Sequence, residues 1–285
     1  MREVRMTSPT VTATDIVLAY GGKIALGRST FTIEPGMVTA IIGPNGSGKS
    51  TLLNAIAGLV EPVSGTIQIG TRDGRMDRVS YVLQSTKVNE SLPISVGEVV
   101  NMGRYATAGR FARLGDDDRQ AVATAMERMD ITGIAGRRLH ALSGGQRQRA
   151  FVAQGLAQDH DILLLDEPLT GIDLPTAHAI DEVIHEETER GCTVVMTTHD
   201  LSEAQFADRV LLLSGRVVAS GTPEEVLTAE NLLAAYGPSL LHVDEASNVF
   251  VDDPGHAHLP GRHAHRERII HTESNPTQTH GDHEH

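Results

Sequence analysis

Gly43-Pro44-Asn45-Gly46-Ser47-Gly48-Lys49-Ser50 decides how this chain is read, together with what stands on either side of it. Before it runs a continuous apolar stretch, residues 38–42, of strand length; after it, residues 50–59 carry apolar positions at a helical period. A strand, a glycine-rich turn and a helix in that order begin a parallel α/β sheet. The quoted stretch matches the P-loop pattern, and its flanks are those the loop requires.

Glycines at 46 and 48 let the backbone wrap closely, so that successive N–H groups point at phosphate oxygens. The start of the helix adds partial positive charge at the same place. Gly43, Pro44, Asn45, Gly46, Ser47, Gly48, Lys49, Ser50 and Thr51 are therefore the expected nucleotide contacts. Lys49 is expected on the β and γ phosphates, and Ser50 is expected to offer its hydroxyl to Mg²⁺.

A second apolar run, residues 162–165, ends in Asp166-Glu167. Open α/β sheets bind ligands beyond the carboxyl ends of their strands, which is where these two carboxylates fall. Asp166 is suited to hold Mg²⁺ through its water shell. Glu167, one step on, is suited to take a proton from the attacking water.

The remaining chain organises around these two runs. Residues 15–20 and 29–33 alternate apolar and polar positions, and Glu34-Pro35-Gly36 supplies a turn, predicting a small antiparallel β layer at the N-terminus. Residues 91–157 shift to a helical period, strongest over 96–102, 119–129 and 146–157, and predict a helical insert. A helix over 176–190, closed by Gly191, leads to a buried strand at 193–197. A hairpin (209–213 and 216–219), short helices (223–227 and 229–236) and a last small hairpin (240–243 and 248–251) follow. After Gly255 the chain turns polar and is expected to be disordered.

Composition narrows the partners. The 285 residues carry a formal charge of −13, which repels phosphate backbones, so no nucleic acid is expected as a partner. The single cysteine, Cys192, excludes an internal disulfide and is expected to pack as a small, buried and inert hydrophobe. Residues 1–14 are polar and resemble neither a signal peptide nor an anchor. The apolar runs fall far short of the roughly 20 residues of a spanning helix. A membrane role must therefore come through a partner.

Leu142-Ser143-Gly144-Gly145-Gln146, followed by a helix and then by the Asp166-Glu167 strand, resembles the signature motif of ATP-binding-cassette (ABC) ATPases. Ser143 is placed to cap a second helix N-terminus whose glycines leave backbone donors bare, a second anion site in a chain with one P-loop. The resemblance spans about residues 12–237. It implies an α/β fold: a P-loop NTPase parallel sheet with an N-terminal antiparallel β layer and a helical subdomain.

The resemblance also implies two copies facing head to tail, with Ser143, Gly144, Gly145 and Gln146 of one closing over ATP on the P-loop of the other. Gln84, after a strand at 79–83, matches the Q-loop, which touches metal and water and relays to the membrane partner. Asp173 matches the D-loop across the dimer, although Gly171-Ile172 replaces the frequent Ala-Leu before it. His199 matches the switch histidine that contacts the γ-phosphate, and Tyr20 the aromatic that stacks on adenine.

A separate cassette with one P-loop and no membrane helices resembles importer subunits, which work with integral-membrane permease subunits and a substrate-binding protein at the cytoplasmic face of the membrane. Residues 92–104 resemble the metal and metal-chelate branch, and residues 227–237 the zinc and manganese subgroup. A split exporter, or an ABC ATPase acting on nucleic acid or ribosomes, are the competing readings. Eight of the 14 histidines follow Gly255: His256, His258, His263, His265, His271, His280, His283 and His285. Interleaved with Asp253, Glu273, Asp282 and Glu284, they suit weak Zn²⁺ binding. Such a tail is either a solubilising extension that binds metal incidentally or a sensor of transported metal.

Overall fold

The computed structural model describes residues 10–72, 75–84, 93–108, 113–237, 241–243 and 249–251. The histidine-rich tail lies outside the described residues.

Strands β1 (Val11–Tyr20) and β2 (Lys23–Ile33) form an antiparallel hairpin, longer at both ends than the alternating pattern predicts. Strand β3 (Val38–Ile42) runs into the P-loop, and α1 (Lys49–Ile56) leaves it. Strand β4 (Ser64–Ile69) then pairs with β1, completing a three-stranded layer in the order β2-β1-β4. This third strand was not among the sequence expectations. Its only apolar–polar alternation is the short stretch Thr66-Ile67-Gln68-Ile69, with Ile67 and Ile69 packed against the core.

A short hairpin, β5 (Thr71–Arg72) and β6 (Arg75–Met76), precedes β7 (Val79–Val82). Helices α2 (Val96–Ala108), α3 (Asp116–Arg128) and α4 (Gly144–Leu156) make the helical region and pack on one another. Then come β8 (Ile162–Leu165), α5 (Leu174–Glu189), β9 (Thr193–Thr198), α6 (Leu201–Gln205), β10 (Arg209–Leu213) and β11 (Val217–Gly221). Helices α7 (Pro223–Val226) and α8 (Ala229–Tyr236) and the hairpin of β12 (Leu241–Val243) with β13 (Val249–Val251) close the described chain. Among the described residues no helix is long and apolar enough to cross a membrane.

The main sheet has the order β11-β10-β3-β9-β8-β7, parallel except for β11. Its central strands β3, β8, β9 and β10 are almost wholly buried, because both faces are covered there. Ala40, Ile42, Leu163, Leu165, Val194 and Met196 pack into the core shared with the helical region. Ile41, Ile162, Leu164 and Val195 point the other way, toward α1 and the antiparallel layer.

The helical region is joined to the sheet through α4. The Ser80 hydroxyl donates to the Gly155 carbonyl at 2.9 Å, and a Cβ on Gly155 would stand 2.4 Å from Val82 Cγ2. Arg104 on α2 donates to Asp118 of α3 at 2.8 Å and to the last-turn carbonyl of Ala157 at 3.0 Å, tying three helices at one point. Cys192 is only half-buried, beside His160, and not the fully enclosed side chain expected.

Candidate functional site: a phosphate loop at the carboxyl edge of the sheet

Parallel register brings distant motifs to one edge. Ile42 pairs with Thr198, so the P-loop leaves the sheet beside His199. Leu165 pairs with Met196 and Val82 with Leu165, which sets Asp166-Glu167 between Thr197 on one side and Gln84 on the other.

Lys49 opens α1, buried, and its ammonium donates to the carbonyls of Gly43 at 2.7 Å and Pro44 at 3.3 Å. Burial lowers the Lys49 pKa, with the carboxylates of Glu167 and Asp166 opposing that shift. No side chain caps α1, so its first-turn N–H groups face the loop. The Gly48 position needs glycine twice over: its φ is +101°, and a Cβ there would meet the Ala25 carbonyl oxygen at 2.6 Å. Ser47 Oγ is buried inside the loop with no hydrogen-bond partner among the described residues.

Ser50 donates its hydroxyl to Asp166 Oδ1 at 3.2 Å. Thr197 Oγ1 donates to the same oxygen at 2.6 Å and accepts the backbone N–H of Glu167 at 2.8 Å. The Tyr81 hydroxyl reaches Asp166 Oδ2 at 3.4 Å; burial first, then the Asp166 charge, raises the phenol's pKa above its ordinary value. Glu167 has a φ of +48°, a left-handed backbone that a non-glycine residue adopts at a cost of about 1–3 kcal/mol. Its bond to Thr197 holds it there, and Gln84 Nε2 donates to its Oε2 at 2.7 Å.

A cavity of about 330 Å³ opens over the loop, with Tyr20, Lys23 and Ile24 of the β1–β2 hairpin on one wall and Glu167 on the other. Tyr20 is 72% exposed, leaving its ring open to stack on a planar group. His199 stands exposed just past β9. Near it Glu203, whose carboxyl is raised chiefly by burial, accepts from Thr198 Oγ1 at 2.5 Å.

The signature residues and Asp173 form a second group. Ser143 caps α4, accepting from Gln146 N at 3.2 Å while Gln146 Oε1 accepts from Ser143 N at 3.3 Å. This reciprocal box leaves the first-turn N–H groups of exposed Gly144 and buried Gly145 without an intrahelical acceptor at a helix N-terminus. Asp173 caps α5 through Thr176 N at 2.9 Å, and that bond chiefly lowers its pKa. A Cβ on Gly145 would come within 2.6 Å of Asp173 Oδ2, so the signature helix and the cap of α5 are in contact.

Thr197 and Tyr81, which orient Asp166, were not found from sequence. Each lies within a strand and has no motif of its own. The signal was register, since only pairing with β8 puts them beside a carboxylate.

The hydroxyl of Ser50, the carboxylate of Asp166 and the amide oxygen of Gln84 are hard oxygen donors of the kind Mg²⁺ takes, and the residues present fit that ion. A parallel sheet, a P-loop at its carboxyl edge and a strand-end acidic pair define a P-loop nucleoside triphosphatase. The family model described as ABC transporter matches residues 26–170. Over 220 residues the chain is 39% identical to the manganese transport system ATP-binding protein MntA of Synechocystis sp., covering 75% of this chain and 85% of that one. Over 240 residues it is 39% identical to the zinc transport system ATP-binding protein TroB of Treponema pallidum, covering 83% and 90%. A dimeric ATP-binding cassette in a post-hydrolysis state with ADP and Pi superposes with a TM-score of 0.65 at 29% identity, over 75% of this chain and 98% of that one. The chain belongs to the ABC transporter family, whose cassettes bind and hydrolyse ATP with Mg²⁺, dimerise and work with membrane permease subunits.

Proposed function

We propose that this chain is the ATP-hydrolysing subunit of an importer for a divalent metal, zinc or manganese, or for a metal chelate. The observation that carries the reading is the 39% identity, over most of the chain, to ATP-binding proteins of a manganese and a zinc transport system. The chain sits peripherally at the cytoplasmic face of the membrane, against permease subunits that work with a substrate-binding protein.

Two copies share each nucleotide. Tyr20 stacks on the adenine, residues 43–51 cradle the phosphates, and Lys49 neutralises the β and γ oxygens. Ser50, Asp166 and Gln84 hold Mg²⁺, which supplies charge neutralisation of the triphosphate when bound. Glu167 takes a proton from the attacking water, and the 2.7 Å contact with Gln84 couples that base to the segment facing the permease. His199 contacts the γ-phosphate. Ser143, Gly144, Gly145 and Gln146 of the second copy close over it at the N-terminus of their helix, and Asp173 crosses the interface beside them.

Uptake of radiolabelled zinc and manganese by cells lacking this gene tests the reading. Loss of uptake, restored by the wild-type chain and not by Glu167→Gln, is the expected result. Unchanged uptake of both metals in the deletion strain overturns the cargo assignment while leaving the ATPase assignment standing.

A further inference from the structure

At the edge of the sheet opposite the nucleotide, His160 precedes β8, Cys192 precedes β9, and Glu187 lies in the last turn of α5. A ring nitrogen of His160, a Glu187 carboxylate oxygen and Cys192 Sγ all lie within 4.8 Å of one another. The His160 and Glu187 side chains are 6% and 2% exposed.

The hydrogen bonding assigns the lone pairs. His160 Nδ1 is 2.8 Å from the Gln158 carbonyl oxygen, which can only accept, so the Nδ1 carries the proton. In the neutral ring Nε2 then turns a lone pair toward Glu187 Oε2 at 3.2 Å, and two acceptors face each other across a buried gap. Either a proton on Nε2 or a metal ion held by both atoms satisfies them. Glu187 Oε1 is engaged separately, by Arg128 at 2.5 Å and Arg190 at 3.0 Å, which leaves Oε2 for that proton or ion.

We propose that His160, Glu187 and Cys192 form a binding site for a zinc-class divalent ion, with a fourth position open to water. Two ligands of a tetrahedral zinc, with metal–nitrogen and metal–oxygen bonds of about 2.0–2.1 Å, stand about 3.3 Å apart, close to the separation here. A sulfur and a nitrogen ligand stand about 3.6 Å apart, so Cys192 Sγ moves inward by about 1 Å at most. The bond from Nδ1 to a backbone carbonyl and the two arginines on Oε1 are the outer contacts that fix a ligating imidazole and a monodentate carboxylate. On binding, the Cys192 thiol releases its proton to solvent, and the thiolate faces the dication together with the Glu187 carboxylate that Arg128 and Arg190 also share. Thiolate and imidazole select zinc, cobalt or nickel over manganese. Because Arg128 belongs to α3, the bound ion braces the junction of sheet and helical region. The site is independent of the cargo reading.

Cobalt titration of the full, reduced chain tests this. Cys192 is the single cysteine, so a thiolate-to-cobalt charge-transfer band reports this site alone, and the tail histidines are silent in it. The expected result is a band in the wild type that one equivalent of zinc abolishes, its absence in Cys192→Ser, and at least about tenfold weaker cobalt binding in His160→Gln. ATPase activity of both variants verifies that they fold. No band in the wild type at saturating cobalt overturns the proposal and leaves an imidazolium–carboxylate ion pair. Equal affinity in folded His160→Gln also overturns it, because the thiol then binds cobalt without the imidazole.

Discussion

Gln84 Nε2 donates to Glu167 Oε2 at 2.7 Å, although the two residues are 83 positions apart in the chain. The bond exists because Val82 and Leu165 are register partners, so the residues after each strand emerge side by side. It aims the carboxylate expected to act as base.

Replacing Glu167 by Gln removes a basic oxygen and keeps the shape. Turnover is expected to fall on the order of 10²–10⁴-fold while ATP affinity stays within a few-fold. Phosphate release and nucleotide titration check this. Wild-type turnover in the variant would refute the base assignment.

Thr197→Val keeps the volume and deletes the hydroxyl between Asp166 and Glu167. The fully buried site then holds an unpaired Glu167 N–H, at an expected cost of about 1–3 kcal/mol in stability. The left-handed turn at Glu167 also loses its anchor, so kcat should fall more than ATP affinity. Urea denaturation read beside steady-state ATPase separates the two effects.

Gly155→Ala places a Cβ 2.4 Å from the buried Val82 side chain and forces α4 away from β7. Overpacking costs about 1–3 kcal/mol, against a gain of up to about 1 kcal/mol from helix propensity. A net loss is expected, with reduced ATPase activity because α4 presents the signature residues. Adding Val82→Ala should recover much of the stability. Additivity in that double-mutant cycle would show that the two sites do not meet.

Acid should destabilise the fold through Asp161. Hydrogen bonds from Arg75 chiefly lower its pKa; burial opposes this, and the Arg78 N–H and guanidinium add to it. A depressed carboxylate contributes stability that is complete above its unfolded value, about 3.9, and is lost as pH falls toward the folded value. Asp161→Asn should therefore be less stable than wild type at pH 7 and show a shallower loss below about pH 4. Thermal melts across that range measure the difference, and parallel acid limbs would reject it.

Much of the fold was legible because its signals are local. The hairpin of β10 and β11 was marked by Ser214-Gly215, and Ser143 was placed as a cap by its position at the start of a helix. Strand β4 was missed because its alternation spans only Thr66 to Ile69, and its pairing with β1 is what extends it into a strand. Asp173 was expected from its match to the D-loop; the structure makes it the cap of α5 and sets it against Gly145.

The residues that make a phosphate loop, a helix cap or a strand-end acidic pair lie within a few positions of one another, so sequence alone was enough to name them. Their assembly depends on pairing between strands far apart in the chain. Placing β3 between β9 and β10, and β8 between β9 and β7, aligns Leu165 with Met196 and Val82. That alignment makes Thr197 the partner of Asp166 and Gln84 the partner of Glu167. A slip of one residue would turn every one of these side chains to the other face, and no local pattern records that choice. Packing of both sheet faces against their cores sets it, and with it the geometry of the site.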